Sequence, residues 1–548
     1  MRLLNLVAPS LGAVLFSGHA VGSSAFSCSS ASFTFPDLLG AELQSITASV
    51  LQGYTGNIGW KPEASRIGPD GVTACNVTIS YTHPGHDDLV SVQLWLPIED
   101  YNGRFVGVGG GGWLAGDAGS YDMMSTMASQ GYAAATTNAG YEHSWLSKAD
   151  SWLMKNPGNL DYPLIVNFAH RAVHDMTIIG RHIVKEAYGG PPNYSYWHGC
   201  STGGRQGLTI ANKYPDDYDG ILTGCPAVDF PGLLVAMYWP QFVMNQMGRY
   251  PHACEFEAIT AASVAACDGL DGVQDGIISR HDLCQFDPEI VEGKAIDCEG
   301  TPSTVSKDAI AIFKAMLQGP IDPEGNRLFP GITFGTTVVG NVAVANTLCE
   351  GTRCTRGLPF TISDDWIRLM VKKDPSFDLT KISHPEYAHI FRESVEEWGG
   401  LFGSNNPDLR RFHQLGKKMM TWHSLNDEAI TAKAMRQYHE RVLAFDEAHD
   451  VTTQDYYRYF EIPGAIHCGS PAGVPYPLDA LKTLQSWVEE GIAPGELPAV
   501  LLGDSSEKQA KRPICVYPQV ATLDNDGFVC KPPTEEMNDA QERNRDEL

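Results

Sequence analysis

Apolar and polar residues alternate along Val90-Ser91-Val92-Gln93-Leu94-Trp95-Leu96-Pro97, the signature of a strand with one buried face. Residues 26–100 read as an N-terminal segment leading into strands. Arg104 to Val108 reads as a short apolar strand that runs directly into Gly109-Gly110-Gly111-Gly112-Trp113. Gly131 to Asn138 reads as another buried strand. The period then changes. Ile165, Phe168, Val173, Met176, Ile179 and Ile183 recur every three to four positions, which predicts a helix over 164–188. Tyr194-Ser195-Tyr196-Trp197-His198 returns to the aromatic-rich composition of a strand. Gly203 to Lys213 follows as a helix, and Gly220-Ile221-Leu222-Thr223-Gly224 as the next strand. Strands alternating with helices through short connections predict a parallel sheet covered on both faces.

From about 230 to 400 the alternation is lost, and proline, glycine and cysteine punctuate the chain. This stretch reads as an inserted domain, 231–400, within a sheet-bearing domain made of 21–230 and 401–548. The main pattern resumes near Leu409. Lys417 to Trp422 and Tyr456 to Ile462 read as strands, 478–490 as a helix, and 500–548 as a polar tail clipped by cysteines.

Composition narrows the function. The net charge of −26 repels a phosphate backbone, and no basic run offsets it, so nucleic-acid binding is disfavoured. Residues 1–20 resemble a secretory signal, with Arg2 before a mostly apolar stretch too short to span a membrane. No later run is long and apolar enough to do so. Two sequons fit the secretory route, at Asn76 and Asn193, the latter close to a strand that could cover it. The 13 cysteines are an odd number, so at least one is free or pairs between chains, and most of the rest should be bridged in an oxidising compartment. The last four residues, Arg545-Asp546-Glu547-Leu548, differ in one position from an endoplasmic-reticulum retrieval signal.

The chemistry centres on Gly199-Cys200-Ser201-Thr202-Gly203, between the 194–198 strand and the following helix. A serine on a sharp strand-to-helix turn, flanked by glycines, is a nucleophile elbow. Gly199 and Gly203 stand where a Cβ would crowd the turn. The Thr202 N–H opens the helix and faces a developing oxyanion. A second donor is expected from the glycine run after an early strand, at Gly110 and Gly111. The fold class that follows is α/β: an α/β-hydrolase fold with a large inserted lid domain.

A serine nucleophile needs a base, and the base an orienting carboxylate, in the chain order Ser, Asp or Glu, His. Trp422-His423-Ser424-Leu425-Asn426-Asp427-Glu428 and Pro463-Gly464-Ala465-Ile466-His467-Cys468 each follow a predicted strand. His423 competes with His467 as base, and Glu428 with Asp427 as orienter. Cys468 favours His467, because Cys200 abuts the serine. A Cys200–Cys468 disulfide would hold nucleophile and base in register, provided the two Cα atoms lie within about 7 Å.

The run Gly199 to Gly207, with Tyr214-Pro215-Asp216-Asp217-Tyr218-Asp219-Gly220, resembles the tannase and feruloyl esterase family. The resemblance spans residues 28–535. It implies Ser201 as nucleophile, Asp427 as orienter and His467 as base, under a lid over an aromatic-acid ester pocket. Ile466 stands where the family commonly has glycine, and Ser424 and Glu428 stand where it commonly has glycine and proline. The resemblance also implies a structural calcium site in the lid at Asp268, Asp271 and Asp275, with the carbonyls of Val273 and Ile277. Three aspartates interleaved with glycines suit a hard, oxygen-ligated cation. By resemblance Cys28 pairs with Cys75 and Cys515 with Cys530, and Cys267–Cys284 closes the calcium loop. The partners of Cys225, Cys254, Cys298, Cys349 and Cys354 stay open; one arrangement is Cys254–Cys298 and Cys349–Cys354 with Cys225 free.

The expected activity is carboxylic ester hydrolysis of feruloyl, cinnamoyl or galloyl esters, small-molecule substrates. The carboxyl terminus motivates an alternative, an esterase or lactone hydrolase of a fungal secondary-metabolite pathway. A binding protein on a hydrolase scaffold is disfavoured because all three triad residues are present.

Overall fold

The computed structural model describes residues 26–55, 70–116, 120–142, 149–351, 353–501, 508–509, 512–525 and 527–532. The expected secretory signal at 1–20 and the Arg545–Leu548 terminus lie outside them.

Nine strands form the main sheet. They are β1 (Glu42–Tyr54), β2 (Val72–Thr82), β3 (Val90–Pro97), β4 (Arg104–Val108), β5 (Ala133–Thr137), β6 (Tyr194–Cys200), β7 (Gly220–Gly224), β8 (Lys418–Ser424) and β9 (Tyr457–Ile462). Their spatial order is β1-β2-β3-β5-β4-β6-β7-β8-β9. The pairs among β1, β2, β3 and β5 are antiparallel, and every pair from β5 to β9 is parallel. The parallel part brings the ends of β6, β8 and β9 to one edge, where an open α/β sheet places its chemistry.

Successive side chains on a strand point to opposite faces, and the sheet divides its apolar residues accordingly. Phe105, Ile221, Met419 and Tyr459 enter one core. Their immediate neighbours Val106, Leu222, Met420 and Phe460 enter the other. Helix α2 (Ala172–Tyr188) covers the first face, and α1 (Tyr121–Ser129) and α10 (Ala480–Glu490) the second. Helix α3 (Thr202–Lys213) follows β6 and is buried from Thr202 to Ala211.

The helix expected over 164–188 is interrupted. A π-helical turn occupies Asn167–Arg171. The guanidinium of Arg205, buried in α3, donates to the carbonyls of Ala169 at 2.9 Å and Phe168 at 3.2 Å. Two carbonyls drawn to a side chain 36 or so positions later distort the local ladder. The rings of Phe168, Phe230 and Phe402 surround that guanidinium at 5.1–5.5 Å.

Between β7 and β8 the chain leaves the sheet, and this insertion divides in two. Its ends pack on the main core: α4 (Phe230–Ala236) and, near the return, α8 (His384–Phe402), through Phe230, Leu233, Tyr387, Phe391 and Trp398. Its middle has a separate core. There α5 (Trp239–Met247), α6 (Ala253–Cys267) and α7 (Lys307–Gln318) contribute Met244, Phe256, Ile259, Ile310, Phe313 and Met316. Helix α9 (Ala432–Glu447) follows β8 and returns the chain to β9.

Six disulfides form: Cys28–Cys75, Cys200–Cys468, Cys254–Cys298, Cys267–Cys284, Cys349–Cys354 and Cys515–Cys530. Cys225 is free and buried. Asn193 is exposed at the start of β6, contrary to the expectation that the strand covers it, whereas Asn76 is half-buried within β2 and accepts from Gln93.

Candidate active site

Ser201 sits between β6 and α3 with φ +63° and ψ −121°, a backbone conformation that non-glycine residues rarely hold. Its surroundings enforce it. Ser201 N–H donates to Gly224 O, and its carbonyl accepts from Arg205 N–H at 2.9 Å. A Cβ on Gly199 would lie 2.5 Å from Gly203 O, and one on Gly109 2.6 Å from Gly203 Cα. Glycine against glycine thus lets the 109–112 loop reach the start of α3.

The other two residues arrive from the neighbouring strand ends. Asp427 follows β8 and His467 follows β9. His467 Nδ1 donates to Asp427 Oδ2 at 2.8 Å, which leaves Nε2 to accept the Ser201 hydroxyl at 2.9 Å. Asp427 Oδ1 accepts from the N–H groups of Ala429 and Ile430, at 2.9 and 2.7 Å. Burial pushes the Asp427 carboxyl up, but the charge and hydrogen bond of His467, with His423 close beside it, outweigh this and hold it ionised, well below the usual carboxylate range. Burial likewise pushes His467 down, and the charge and hydrogen bond of Asp427 raise it above its ordinary value.

The competing residues take other places. His423 is fully buried on β8, where Nε2 donates to Ile430 O at 2.9 Å and lies 3.5 Å from Asp427 Oδ2. It braces the carboxylate and does not reach the serine. Glu428 is not the orienter: its Oε2 accepts from the main-chain N–H of His467 at 2.9 Å. It therefore holds the backbone of the base while Asp427 holds the ring. Burial, then the charge of Asp427, raise the Glu428 carboxyl above its ordinary value.

Cys468 adopts φ +55°, and its bond to Cys200 spans 6.0 Å between Cα atoms. The sulfur of Cys225 lies within 4.8 Å of both bridged sulfurs.

Of the two expected loop donors, Gly110 is spent on another partner. Gly110 N–H donates to Gln206 Oε1 at 3.2 Å and Gly110 O accepts from Gly203 N–H at 3.0 Å, so its polar groups are committed to packing the loop on α3. Gly111 O accepts from Leu114 N–H at 2.9 Å. Gly112, at φ +57°, is the loop residue that borders the cavity beside Ser201 and Thr202, and its carbonyl accepts from the Thr202 hydroxyl at 2.7 Å. The missed signal was Gln206, one turn into α3, whose amide reaches back to the glycine run.

Ser201 and His467 line a mostly apolar pocket. Its walls come from α4, from Val342, Phe360 and Ile362 in the insert, and from Ala429 and Ile430 behind Asp427.

The sequence matches the family described as "Tannase and feruloyl esterase" over residues 75–534. The chain belongs to the tannase and feruloyl esterase family. As a member of that family it is a carboxylic ester hydrolase. It is 39% identical over 455 residues to a probable feruloyl esterase of Arthroderma benhamiae, covering 82% of this chain and 83% of the relative. It is 27% identical to the tannase of Aspergillus oryzae, with 81% and 82% covered. Among solved structures, the tannin acyl hydrolase of Aspergillus niger superposes with a TM-score of 0.83 at 25% identity, covering 94% of this chain and 96% of that one. Feruloyl esterase B of Aspergillus oryzae superposes with a TM-score of 0.72 at 24% identity, covering 90% of this chain and 98% of that one. The α/β-hydrolase fold of this esterase is thereby established.

Away from the sheet, Cys267–Cys284 closes the acidic loop. Asp268 Oδ1 accepts from the N–H groups of Asp275 and Ile277 at 3.1 and 3.3 Å, and Asp271 Oδ1 from Val273 N–H at 3.0 Å. Arg512 Nη2 lies 3.0 Å from Asp271 Oδ2 and 2.8 Å from Asp275 Oδ2. Three carboxylates against one guanidinium leave an excess of two negative charges, which suits a divalent cation with oxygen ligands. Among the described residues, no helix is long and apolar enough to cross a membrane.

Proposed function

We propose that this esterase hydrolyses small esters of aromatic acids through an acyl-enzyme on Ser201. The observation that carries the reading is the hydrogen-bonded line Ser201–His467–Asp427 opening on an apolar cavity. The named activities of its relatives agree with it. His467 Nε2 takes the hydroxyl proton as Ser201 Oγ attacks the ester carbonyl. Asp427 steadies the imidazolium that forms. The oxyanion develops against the start of α3, at Thr202, and against the Gly112 end of the glycine loop, where each well-placed donor contributes about 3 kcal/mol. His467 protonates the leaving alcohol. It then activates the water that releases the acid. The test is purified protein on methyl esters of cinnamic, ferulic and benzoic acids, with a fluorophosphonate probe for the nucleophile. Turnover with stoichiometric labelling of Ser201 is expected. Turnover that survives complete labelling would overturn the reading.

The base must be neutral to act, so kcat/KM rises with pH through the pKa of His467. The acid limb is expected above the ordinary 6.5 of a histidine. Glu428→Gln keeps an acceptor for His467 N–H and removes a neighbouring negative charge. The acid limb should then move to lower pH with the plateau rate preserved. An unmoved limb would leave Glu428 a purely structural role.

Calcium is proposed at Asp268, Asp271 and Asp275, with the carbonyls of Val273 and Ile277. There it would pin the insert and take no part in the ester chemistry. Chelation is expected to lower Tm by several degrees, with recovery on adding calcium and with little response in Asp271→Asn. Identical melting with chelator or calcium would exclude a resident ion. The leader-like start, the six disulfides and the exposed sequon at Asn193 support a route through the secretory pathway.

A further inference from the structure

We propose that the cavity beside Ser201 selects against free phenolic hydroxyls, so that this enzyme takes cinnamoyl-type acids with at most one hydroxyl and rejects galloyl esters. The inference rests on the aromatic-acid ester reading and narrows it.

The argument is an inventory of polar groups. Among the described residues, every side chain on the cavity wall beyond Ser201, Thr202 and His467 is a hydrocarbon or a thioether. Phe230, Leu233 and Leu234 come from α4, Met237 from just after it, Phe360 and Ile362 from the insert. The three polar exceptions are committed. Ser201 and His467 bond to each other at 2.9 Å, and the Thr202 hydroxyl donates to Gly112 O at 2.7 Å. All three stand at the reacting end. A ring carried inward from the ester carbonyl therefore meets no side-chain partner for a hydroxyl among the described residues. Phe230, Leu233 and Leu234 are each only 2% exposed, so water does not supply the partner at that wall.

A second apolar pocket shares Leu233, Met237 and Ala429 with the first and reaches Asp427 and Glu428. Asp427 is engaged at both oxygens, Oδ1 by two main-chain N–H groups and Oδ2 by His467, and Glu428 Oε2 accepts from His467 N–H. Neither carboxylate lines the wall of the cavity at Ser201.

A hydroxyl buried without a partner costs roughly a factor of ten in binding, the scale on which hydrophobic pockets discriminate against an added hydroxyl. A caffeoyl ring carries two and a galloyl ring three. A feruloyl ring carries one, with a methoxyl that needs no donor.

The test compares methyl cinnamate, methyl 4-hydroxycinnamate and methyl caffeate, and separately methyl benzoate and methyl gallate. The alcohol is methyl throughout, so the ring must occupy the acyl side. The expected result is a fall in kcat/KM of about tenfold per hydroxyl, reaching about a hundredfold for caffeate and more for gallate. Equal or better turnover of caffeate and gallate than of their deoxy partners overturns the proposal. If no aromatic methyl ester is cleaved, the ester reading has failed separately. The same compounds are then compared as competitive inhibitors of p-nitrophenyl butyrate hydrolysis. Inhibition constants that rise with each hydroxyl sustain the pocket's selectivity, and constants that stay level or fall overturn it.

Discussion

Ser201→Ala is expected to lower kcat by roughly 10⁴- to 10⁶-fold, the range seen when a nucleophile that works as a unit with its base is removed. The fold should survive. The strained conformation at 201 is imposed by Gly224 O, by the first turn of α3 and by the Gly109–Gly203 contact, none of which needs the hydroxyl. Alanine has the same backbone constraint as serine, so Tm should change by no more than a degree or two. Substrate binding should persist as well, because the cavity walls are untouched. The informative comparison is therefore kcat against the inhibition constant of a slowly cleaved ester. A collapse of the first with the second unchanged assigns the hydroxyl to chemistry. Residual turnover near one per cent would point to a different nucleophile.

Removing the Cys200–Cys468 bond should produce the second large loss. The bond joins the residue before Ser201 to the residue after His467, and it closes a separation of 268 residues. A cross-link across a long loop stabilises by about 2–5 kcal/mol. The catalytic effect should be larger than the loss of stability suggests. His467 stands in a short turn whose main-chain bonds are Ile466 to Gly469 in both directions, with Cys468 at positive φ. Without the sulfur link, the Ser201 hydrogen bond is left to join this turn to the elbow, while Asp427 and Glu428 hold its other side. A displacement of an ångström in such a pair costs about a hundredfold. Single replacements are ambiguous, because the Cys225 sulfur lies within 4.8 Å of the remaining thiol and could pair with it. The decisive variant is Cys200→Ala with Cys468→Ala in a Cys225→Ala background, compared with Cys225→Ala alone. Lower Tm and a hundredfold lower kcat are expected. A lower Tm with unchanged kcat would make the bond a staple only.

Much of this site was legible because its signals are local. The elbow is a five-residue pattern between a strand and a helix. The two cysteines mark serine and histidine by adjacency, without knowledge of distance. The strands at Val90–Pro97 and Arg104–Val108 match their predicted limits because their apolar pattern records the two faces of the sheet. What stayed hidden depends on partners remote in sequence. Gly110 is lost as an oxyanion donor to Gln206, 96 positions on. The π turn at Asn167–Arg171 answers to Arg205. The division of the insert into a part fused to the main core and a part with its own core follows from packing, and both parts have the same irregular composition. Glu428 and Asp427 are adjacent and chemically alike. Only the turn that carries His467 decides that one carboxylate meets the ring and the other the backbone.

The long covalent link has a consequence for how breakage of this protein would register. Every residue from α4 to the end of β9 lies between Cys200 and Cys468, so this part of the chain is a closed ring with two tails. A single cut in any loop of that ring, including the 339–351 region, separates no fragment. The nicked molecule keeps its mass on a non-reducing gel and yields two pieces only after reduction. Protease damage to the insert is thus silent in size and is registered only by the opening of the ring.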